Sequence, residues 1–514
     1  MAIARRGLST QRLARRTHAG IVARLAQPRW LALSLVVLAA LAVRLTWWYG
    51  VVNVDPYAYA DSAESIARWQ PAFDPDLVGS LYYTQYIRFS LTGPAAVLYR
   101  MFGPGEAVST IVPIAASLGT VLIAARLAWR EGGAAAGIVA AALAGFFPLA
   151  VINSTQFLPD TMMTFFASLA TLAFLEGLDA RRPRSRRVWL FVAGAAFALA
   201  FYGRPTAVAL LPVFAVLFAL RRPWRADVLA AIPGSLAVFA AVQMLLLSLG
   251  GSPFEDLHTL LTEGRGDAPG ALHYTDIDFS YARYLARDPT FLPFTVLAAG
   301  AIVLGLWAGR WPRSRRMYEL AAFVLGQYLY FEFLMRLPGL ASWWKEPRYA
   351  MSMFVPAFAL VGIAVATWLR SLTPRSASTA MAWVVGALAL YAALAVDVVR
   401  DDHAAWDRMR VGRTEAGLAA FLAGQPTVPV YTWNDDIARY LSFHVGLEHA
   451  TVYDRAHDRG LVRNRFDPEG RSLVAPGSFV LVEAGQEASG MTAVPSAWSL
   501  VLEAGNLRLY RVPG

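Results

Sequence analysis

Four short stretches carry the residues that could do chemistry, and each stands beside a long apolar run. The first is Val54-Asp55-Pro56-Tyr57-Ala58-Tyr59-Ala60-Asp61-Ser62-Ala63-Glu64, which follows apolar sequence from Trp30 to Gly50. Asp55, Tyr59 and Ala63 recur at intervals of four and share one helical face. A carboxylate where membrane meets water can take the proton of a hydroxyl nucleophile; the plainer reading is a solvated loop acid. Asp55 is the first candidate and Asp61 offers a second register. In the next stretch, Asn153-Ser154-Thr155-Gln156-Phe157-Leu158-Pro159-Asp160-Thr161, a very short turn ends on an acid at a helix start. Asp160 can cap that helix, and an acid fixed there is also rigid enough to hold a metal or an acceptor.

The two remaining stretches supply cations. Tyr202-Gly203-Arg204-Pro205-Thr206 sets an arginine before a helix-starting proline. A guanidinium there can grip a phosphate with two parallel hydrogen bonds, or it can snorkel to lipid headgroups. Trp343-Trp344-Lys345-Glu346-Pro347-Arg348-Tyr349 mixes two cations, one acid and three aromatics. The tryptophans suit an interfacial anchor, and the charges among them suit a lipid phosphate.

The elements that must position these residues are membrane spans. Of 514 residues, 57% are hydrophobic and 16% charged, with mean hydropathy +0.43. A bilayer core of about 30 Å takes about 20 apolar residues of helix, and runs of that length recur from Trp30 almost to Asp397. Spans are expected at 30–50, 107–127, 133–151, 161–178, 188–203, 206–220, 227–248, 291–309, 317–337, 350–369 and 378–398. The fold expected is therefore a polytopic α-helical membrane protein of about eleven transmembrane helices. The first run is too long, and lacks the small-residue cleavage site, to be a removed signal.

Arginine placement orients the spans. The formal net charge of +10 gathers in the basic segment 1–29 and in alternate loops, around Arg126 and Arg130, 181–187, 221–225, 310–316 and 370–375. Cytoplasmic loops carry such an excess; no nucleic-acid partner needs to be invoked. Alternation then sends all four chemical stretches, the loop 250–290 and the C-terminus to the outer face of the cell membrane, with the N-terminus in the cytoplasm. Of the ionisable residues within spans, Arg44 and Glu332 could line a pathway, and Arg44 must reach the interface or pair with an acid. There is no cysteine, which excludes disulfides, thiolate metal sites and cysteine nucleophiles.

The chain divides into the segment 1–29, a transmembrane catalytic domain 30–400 and an extracytoplasmic part 401–514. In the last part, 414–424 and 435–443 read as helices, and 429–432, 450–453, 478–483 and 498–511 as strands, which suggests a small α/β domain. His444, His449 and His457 read as ordinary surface and core positions.

The order of motifs resembles the GT-C membrane glycosyltransferases: a first-loop aspartate with Tyr59 and Ala63 behind it, Leu158-Pro159-Asp160 opening a helix, Gly203-Arg204-Pro205-Thr206, then Glu346-Pro347-Arg348-Tyr349 before an apolar helix. Over about residues 30–400 it looks like the branch of protein O-mannosyltransferases, the lipid A aminoarabinose transferase and rhizobial galacturonosyltransferases. The resemblance implies a polyprenyl-phosphate-linked sugar as donor and a lipid, glycan or protein as acceptor. It implies Asp55 as base, and Asp160 as a metal-binding or acceptor-orienting carboxylate. Arg204, Lys345 and Arg348 become candidates for the donor phosphate, and Tyr59, Asp61, Glu346 and Tyr349 for substrate contacts. The family includes metal-dependent members, for which Asp55 and Asp160 would be the divalent-metal ligands. Many relatives carry glutamate or serine where this chain has Pro56, which leaves the base open between Asp55 and Asp61.

Two other readings stand beside this one. A multi-pass transporter or flippase with an outer receptor domain would use Arg44 and Glu332 to line a path, but the sequence lacks the paired halves and matched broken spans of that class. A polysaccharide polymerase, ligase or oligosaccharide-transferring relative would differ in the phosphate it releases, monophosphate or pyrophosphate.

Overall fold

The computed structural model describes residues 28–51, 54–69, 88–221, 226–248, 279–307, 314–333, 347–409, 412–425, 430–432, 441, 451–452, 476–483, 496–505 and 507–514. Its helices are α1 (Pro28–Thr46), α2 (Val54–Arg68), α3 (Phe89–Phe102), α4 (Glu106–Gly145), α5 (Pro148–Ser154), α6 (Pro159–Asp179) and α7 (Pro183–Phe201). They continue with α8 (Leu210–Leu220), α9 (Ala231–Ser248), α10 (Ser280–Arg287), α11 (Leu292–Trp307), α12 (Arg315–Phe333), α13 (Met351–Ser371), α14 (Pro374–Met409) and α15 (Gly412–Ala423). Short 3-10 turns, Pro205–Ala209, Ala226–Ala230 and Pro347–Ala350, precede α8, α9 and α13.

Every expected span falls on helical residues of this set. Six are long and apolar enough to cross a membrane by length and composition: α1, α4, α6, α9, α13 with its leading turn, and α14. The spans expected at 107–127 and 133–151 are one helical stretch, α4, bent at Gly133, whose φ of 75° only glycine adopts without strain. At the α7–α9 crossing a side chain on Gly194 would stand 1.9 Å from the Ala231 carbonyl oxygen, so the two backbones touch through glycine.

Helix α6 defines the two sides. It carries Asp160 at its start and Asp179 at its end, about 30 Å apart by helical rise. Asp179 receives Arg221 at 2.8 Å, Arg316 at 2.7 Å and Arg130 at 3.2 Å, and Glu319 receives Arg221 at 2.5 Å. The loop arginines thus meet acids at one end of the bundle and leave the other end for the candidate site.

Arg44 in α1 is wholly buried short of the interface, and among the described residues it meets no acid. Its guanidinium donates to the hydroxyls of Ser117 (2.7 and 3.2 Å) and Ser154 (3.1 Å) and to the carbonyls of Ala40 (2.9 Å) and Gly145 (2.8 Å). A fork of five N–H groups can satisfy itself on dipoles in this way. Glu332 in α12 accepts the backbone N–H groups of Tyr281 (3.0 Å) and Ala282 (3.3 Å) and so caps α10. Both are tied into the framework.

The C-terminal strands are β1 (Val430–Thr432), β2 (Thr451–Val452), β3 (Phe479–Glu483), β4 (Ser499–Ala504) and β5 (Leu507–Arg511). They form one sheet of order β2-β1-β3-β5-β4, with β1 parallel to β2 and β3, and β5 antiparallel to β3 and β4. Leu418 and Leu422 of α15 share a core with Val430, Phe479, Leu481 and Leu509. The helix expected at 435–443, apart from residue 441, and the three histidines lie outside the described residues. Helix α14 runs through Arg400 to Met409 and touches the membrane part: Tyr49 donates to Asp402 at 2.6 Å, and the His403 ring packs edge-on against Tyr49 at 4.8 Å.

The Arg44 network gives a direct expectation. Hydrogen bonds to a charged group contribute about 1.5–3 kcal/mol each, so Arg44→Met, which takes their charged partner from the Ser117 hydroxyl and the Gly145 carbonyl, should cost roughly 3 kcal/mol or more. Arg44→Lys keeps the charge without the fork and should fall between. Thermal unfolding in detergent reads the order; identical midpoints for all three proteins would show that the network carries no weight.

Candidate active site

Three backbone segments converge beyond the start of α6. The 155–158 turn is held by Gly50, which donates to the Thr155 carbonyl at 3.0 Å and forms a bridge with Gln156. Pro159 takes the first helical position, where its missing N–H costs nothing, and Leu158 is the cap residue. Asp160 therefore does not cap α6. Its carboxylate points at the 203–206 corner, where Gly203 makes close approach possible: a side chain there would stand 3.0 Å from both the Met163 nitrogen and the Ser90 hydroxyl.

Asp160 and Arg204 form a buried ion pair. Arg204 Nη2 donates to Asp160 Oδ2 at 2.9 Å, and Nε approaches Oδ1 at 2.5 Å without hydrogen-bond alignment. The side chains are 0% and 4% exposed, so neither has water to fall back on. Arg204 lies over the Tyr349 ring, 4.5 Å from its centre, and within electrostatic reach of the buried Tyr59. Arg348 bridges the two acids, with Nη2 3.9 Å from Asp55 Oδ2 and Nε 4.0 Å from Asp160 Oδ2. Asp55, by contrast, is 55% exposed, so of the two carboxylates it is the one an incoming molecule can reach.

A residue that sequence reasoning passed over belongs here. Arg88, at the start of α3, is buried, donates to the Gly203 carbonyl at 3.2 Å and lies close enough to stabilise the Asp160 carboxylate. Its Nε is buried with no hydrogen-bond partner. The signal was there: between Arg68 and Arg100 the sequence holds no other cation.

Asp55, Tyr59, Asp160, Arg204, Arg348 and Tyr349 are thus brought together. Lys345 and Glu346 lie outside the described residues, and so does the side chain of Asp61, whose backbone continues α2. Among the described residues no three of His, Asp or Glu gather as a metal site. Asp55 and Asp160 have the guanidinium of Arg348 between them, and Asp160 also faces Arg204. That set suits an anion better than a divalent cation; a metal here would draw further ligands from outside the described residues.

Nine residues after Asp55 along α2, Glu64 is buried and paired with Arg68. Burial pushes its carboxyl above the ordinary value, and Arg68 pulls the other way.

Comparisons with known proteins come from both sequence and fold. Residues 95–247 match the family model for dolichyl-phosphate-mannose-protein mannosyltransferase. No curated protein matches the chain significantly. ArnT from Cupriavidus metallidurans, bound to undecaprenyl phosphate, superposes with a TM-score of 0.65 at 15% identity, covering 95% of this chain and 98% of that one. The Archaeoglobus fulgidus oligosaccharyltransferase tethered to an acceptor peptide superposes with a TM-score of 0.58 at 13% identity, covering 90% and 70%. The same archaeal protein in complex with Zn and sulfate gives 0.50 at 12% identity, covering 93% and 75%.

The contrast in burial is testable. Removing one member of a buried ion pair costs about 3–5 kcal/mol, whereas an exposed acid contributes about 0–1 kcal/mol. Asp160→Asn should therefore lower the thermal midpoint strongly and Asp55→Asn hardly at all. Glu64 gives a pH test. Its folded pKa is raised, so its contribution is full below the ordinary carboxylate value and is lost as pH rises through the folded value. Glu64→Gln should be more thermostable than wild type at neutral pH and level with it in acid; a gap of the same size at every pH would contradict the assignment.

Proposed function

Because the chain has the fold of the GT-C superfamily of membrane glycosyltransferases, we propose that it transfers a sugar from a polyprenyl-phosphate donor to an acceptor hydroxyl at the outer membrane face. The observation that carries this reading is the convergence of Arg88, Arg204 and Arg348 on Asp55 and Asp160. Guanidiniums are the groups that grip a phosphate oxygen with paired hydrogen bonds.

The roles follow from exposure. Asp55, reachable and beside Arg348, takes the proton of the acceptor hydroxyl as it attacks the anomeric carbon. The bond to the phosphate oxygen breaks, and Arg348, Arg204 and Arg88 stabilise the leaving phosphate. Asp160, sealed and held by Arg204, keeps that cation aimed rather than meeting the acceptor. Tyr59 and Tyr349 wall the site and exclude water from the oxocarbenium-like centre. With Asp61, Lys345 and Glu346 they remain candidates for substrate contact. If a divalent metal takes part, Asp55 and Asp160 are the residues that would face it. The fold of the ArnT structure with undecaprenyl phosphate supports a lipid-linked donor. The framework roles of Arg44 and Glu332 weigh against a transport path.

The test is transfer of radiolabelled sugar from short-chain polyprenyl-phosphate donors to extracted membrane acceptors by purified protein. Loss of a general base typically costs 10²–10⁴-fold, so Asp55→Asn should fall by about that much while remaining folded, and Arg88→Met should raise KM for the donor. Full activity in Asp55→Asn would remove the base assignment. A wild type that consumes no donor across sugars and metals, yet moves ions or lipids across proteoliposomes, would replace the transferase reading with the transporter.

A further inference from the structure

The site contains polar groups that neither the acid–base step nor the phosphate requires. Among the described residues, four buried hydroxyls have no hydrogen-bond partner: Ser90, Thr161, Thr164 and Thr206. All four stand on the three segments that meet at Asp160 and Arg204, namely the start of α3, the first turns of α6 and the corner that ends in Pro205–Ala209.

This is not how serine and threonine behave elsewhere in the bundle. A hydroxyl inside a helix commonly donates to the carbonyl one turn back. Ser62 does so to Ala58 at 3.0 Å, Thr120 to Ala116 at 3.0 Å, and Thr171 to Ala167 at 2.9 Å. Ser168, one turn beyond Thr164 on the same helix, donates to the Thr164 carbonyl at 2.6 Å. A buried polar atom left unpaired is costly and rare enough to need a reason.

Geometry ties the hydroxyls to the catalytic centre. Thr164 follows Asp160 by four residues, on the same face of α6 and one turn deeper. Gly203 brings the Ser90 hydroxyl and the second turn of α6 to within a side chain's width of each other. Thr206 follows Arg204 by two residues. The chemistry differs from that of the guanidiniums. A phosphate oxygen of the donor only accepts, and Arg88, Arg204 and Arg348 suffice for it. A neutral hydroxyl both donates and accepts, which is what the ring hydroxyls of a sugar require.

We infer that Ser90, Thr164 and Thr206 hold the sugar ring of the lipid-linked donor through its hydroxyls and set which sugar is accepted. This rests on the transferase reading above. A pocket built to pair substrate hydroxyls rejects analogues that lack them, because its own polar groups then stay unpaired. In the ligand-free protein the same logic runs in reverse: an apolar replacement of similar shape removes an unsatisfied group, so these positions trade stability for selectivity.

The experiment takes the purified full chain, its best donor among short-chain polyprenyl-phosphate hexoses and pentoses, and the monodeoxy analogues of that donor. Thr164→Val, Thr206→Val and Ser90→Ala are compared with wild type in kcat/KM for each donor, in inhibition by sugar-free polyprenyl phosphate, and in thermal midpoint. The expected result is at least tenfold loss of discrimination between the best donor and one deoxy analogue, unchanged inhibition by polyprenyl phosphate, and an unchanged or raised midpoint. Three variants on three segments keep the test alive if one misfolds. Wild-type discrimination in all folded variants would overturn the inference and leave the hydroxyls to bound water. An equal shift in inhibition by sugar-free polyprenyl phosphate would overturn it in favour of a phosphate contact. A wild type that uses no lipid-phosphate sugar fails in its own arm, so the collapse of the transferase reading is told apart from that of the pocket.

Discussion

A full positive charge inside a membrane-spanning bundle has to be met by something, and Arg44 is met by dipoles. Among the described residues no carboxylate answers it, and the guanidinium gathers oxygens from α1, from α4 on both sides of its bend, and from Ser154 at the end of α5. Each of those oxygens is fixed in turn. Ser154 is followed directly by the turn that Gly50 bridges, and that turn delivers Pro159 and Asp160. On the other side α1 leads through Tyr49 and Gly50 into α2, which carries Asp55. Both carboxylates of the candidate site thus hang from segments that one buried cation pins.

The site itself divides its two acids by environment. Asp160 is sealed, with charge partners on several sides, so it is an anion that cannot move far or be reached. Asp55 has the same chemical group in the open, one guanidinium away. Under the proposed reading, identical side chains would take different parts, one positioning and one reactive, because their burial differs. An acid spent on arginines is also poorly placed to bind a cation, which is why the two aspartates resemble an anion site.

Much of this was legible in the residues. Hydropathy located the helices because spanning a bilayer demands length and apolar content, and the motif order carried the resemblance to the GT-C superfamily that the fold bears out. Asp55, Asp160, Arg204 and Arg348 were found because each interrupts apolar sequence at a span end, where charge needs a reason. Arg88 was missed because it stands among tyrosines and a phenylalanine, residue types that suit a membrane interface, and nothing local marks it as buried. The four hydroxyls were illegible for a different reason: serine and threonine are common in apolar helices, and only three-dimensional packing shows which of them lack a carbonyl. Arg44 was read correctly as a problem, but a solution assembled from backbone carbonyls leaves no trace in sequence.

The contact between Tyr49 and Asp402 joins residues 353 positions apart. During synthesis Tyr49 must therefore wait until α14 has been made before it meets Asp402. Long-range closures of this kind form late. The end of α1 thus gains this contact only once α14 is in place, and a chain that stops before α14 lacks it.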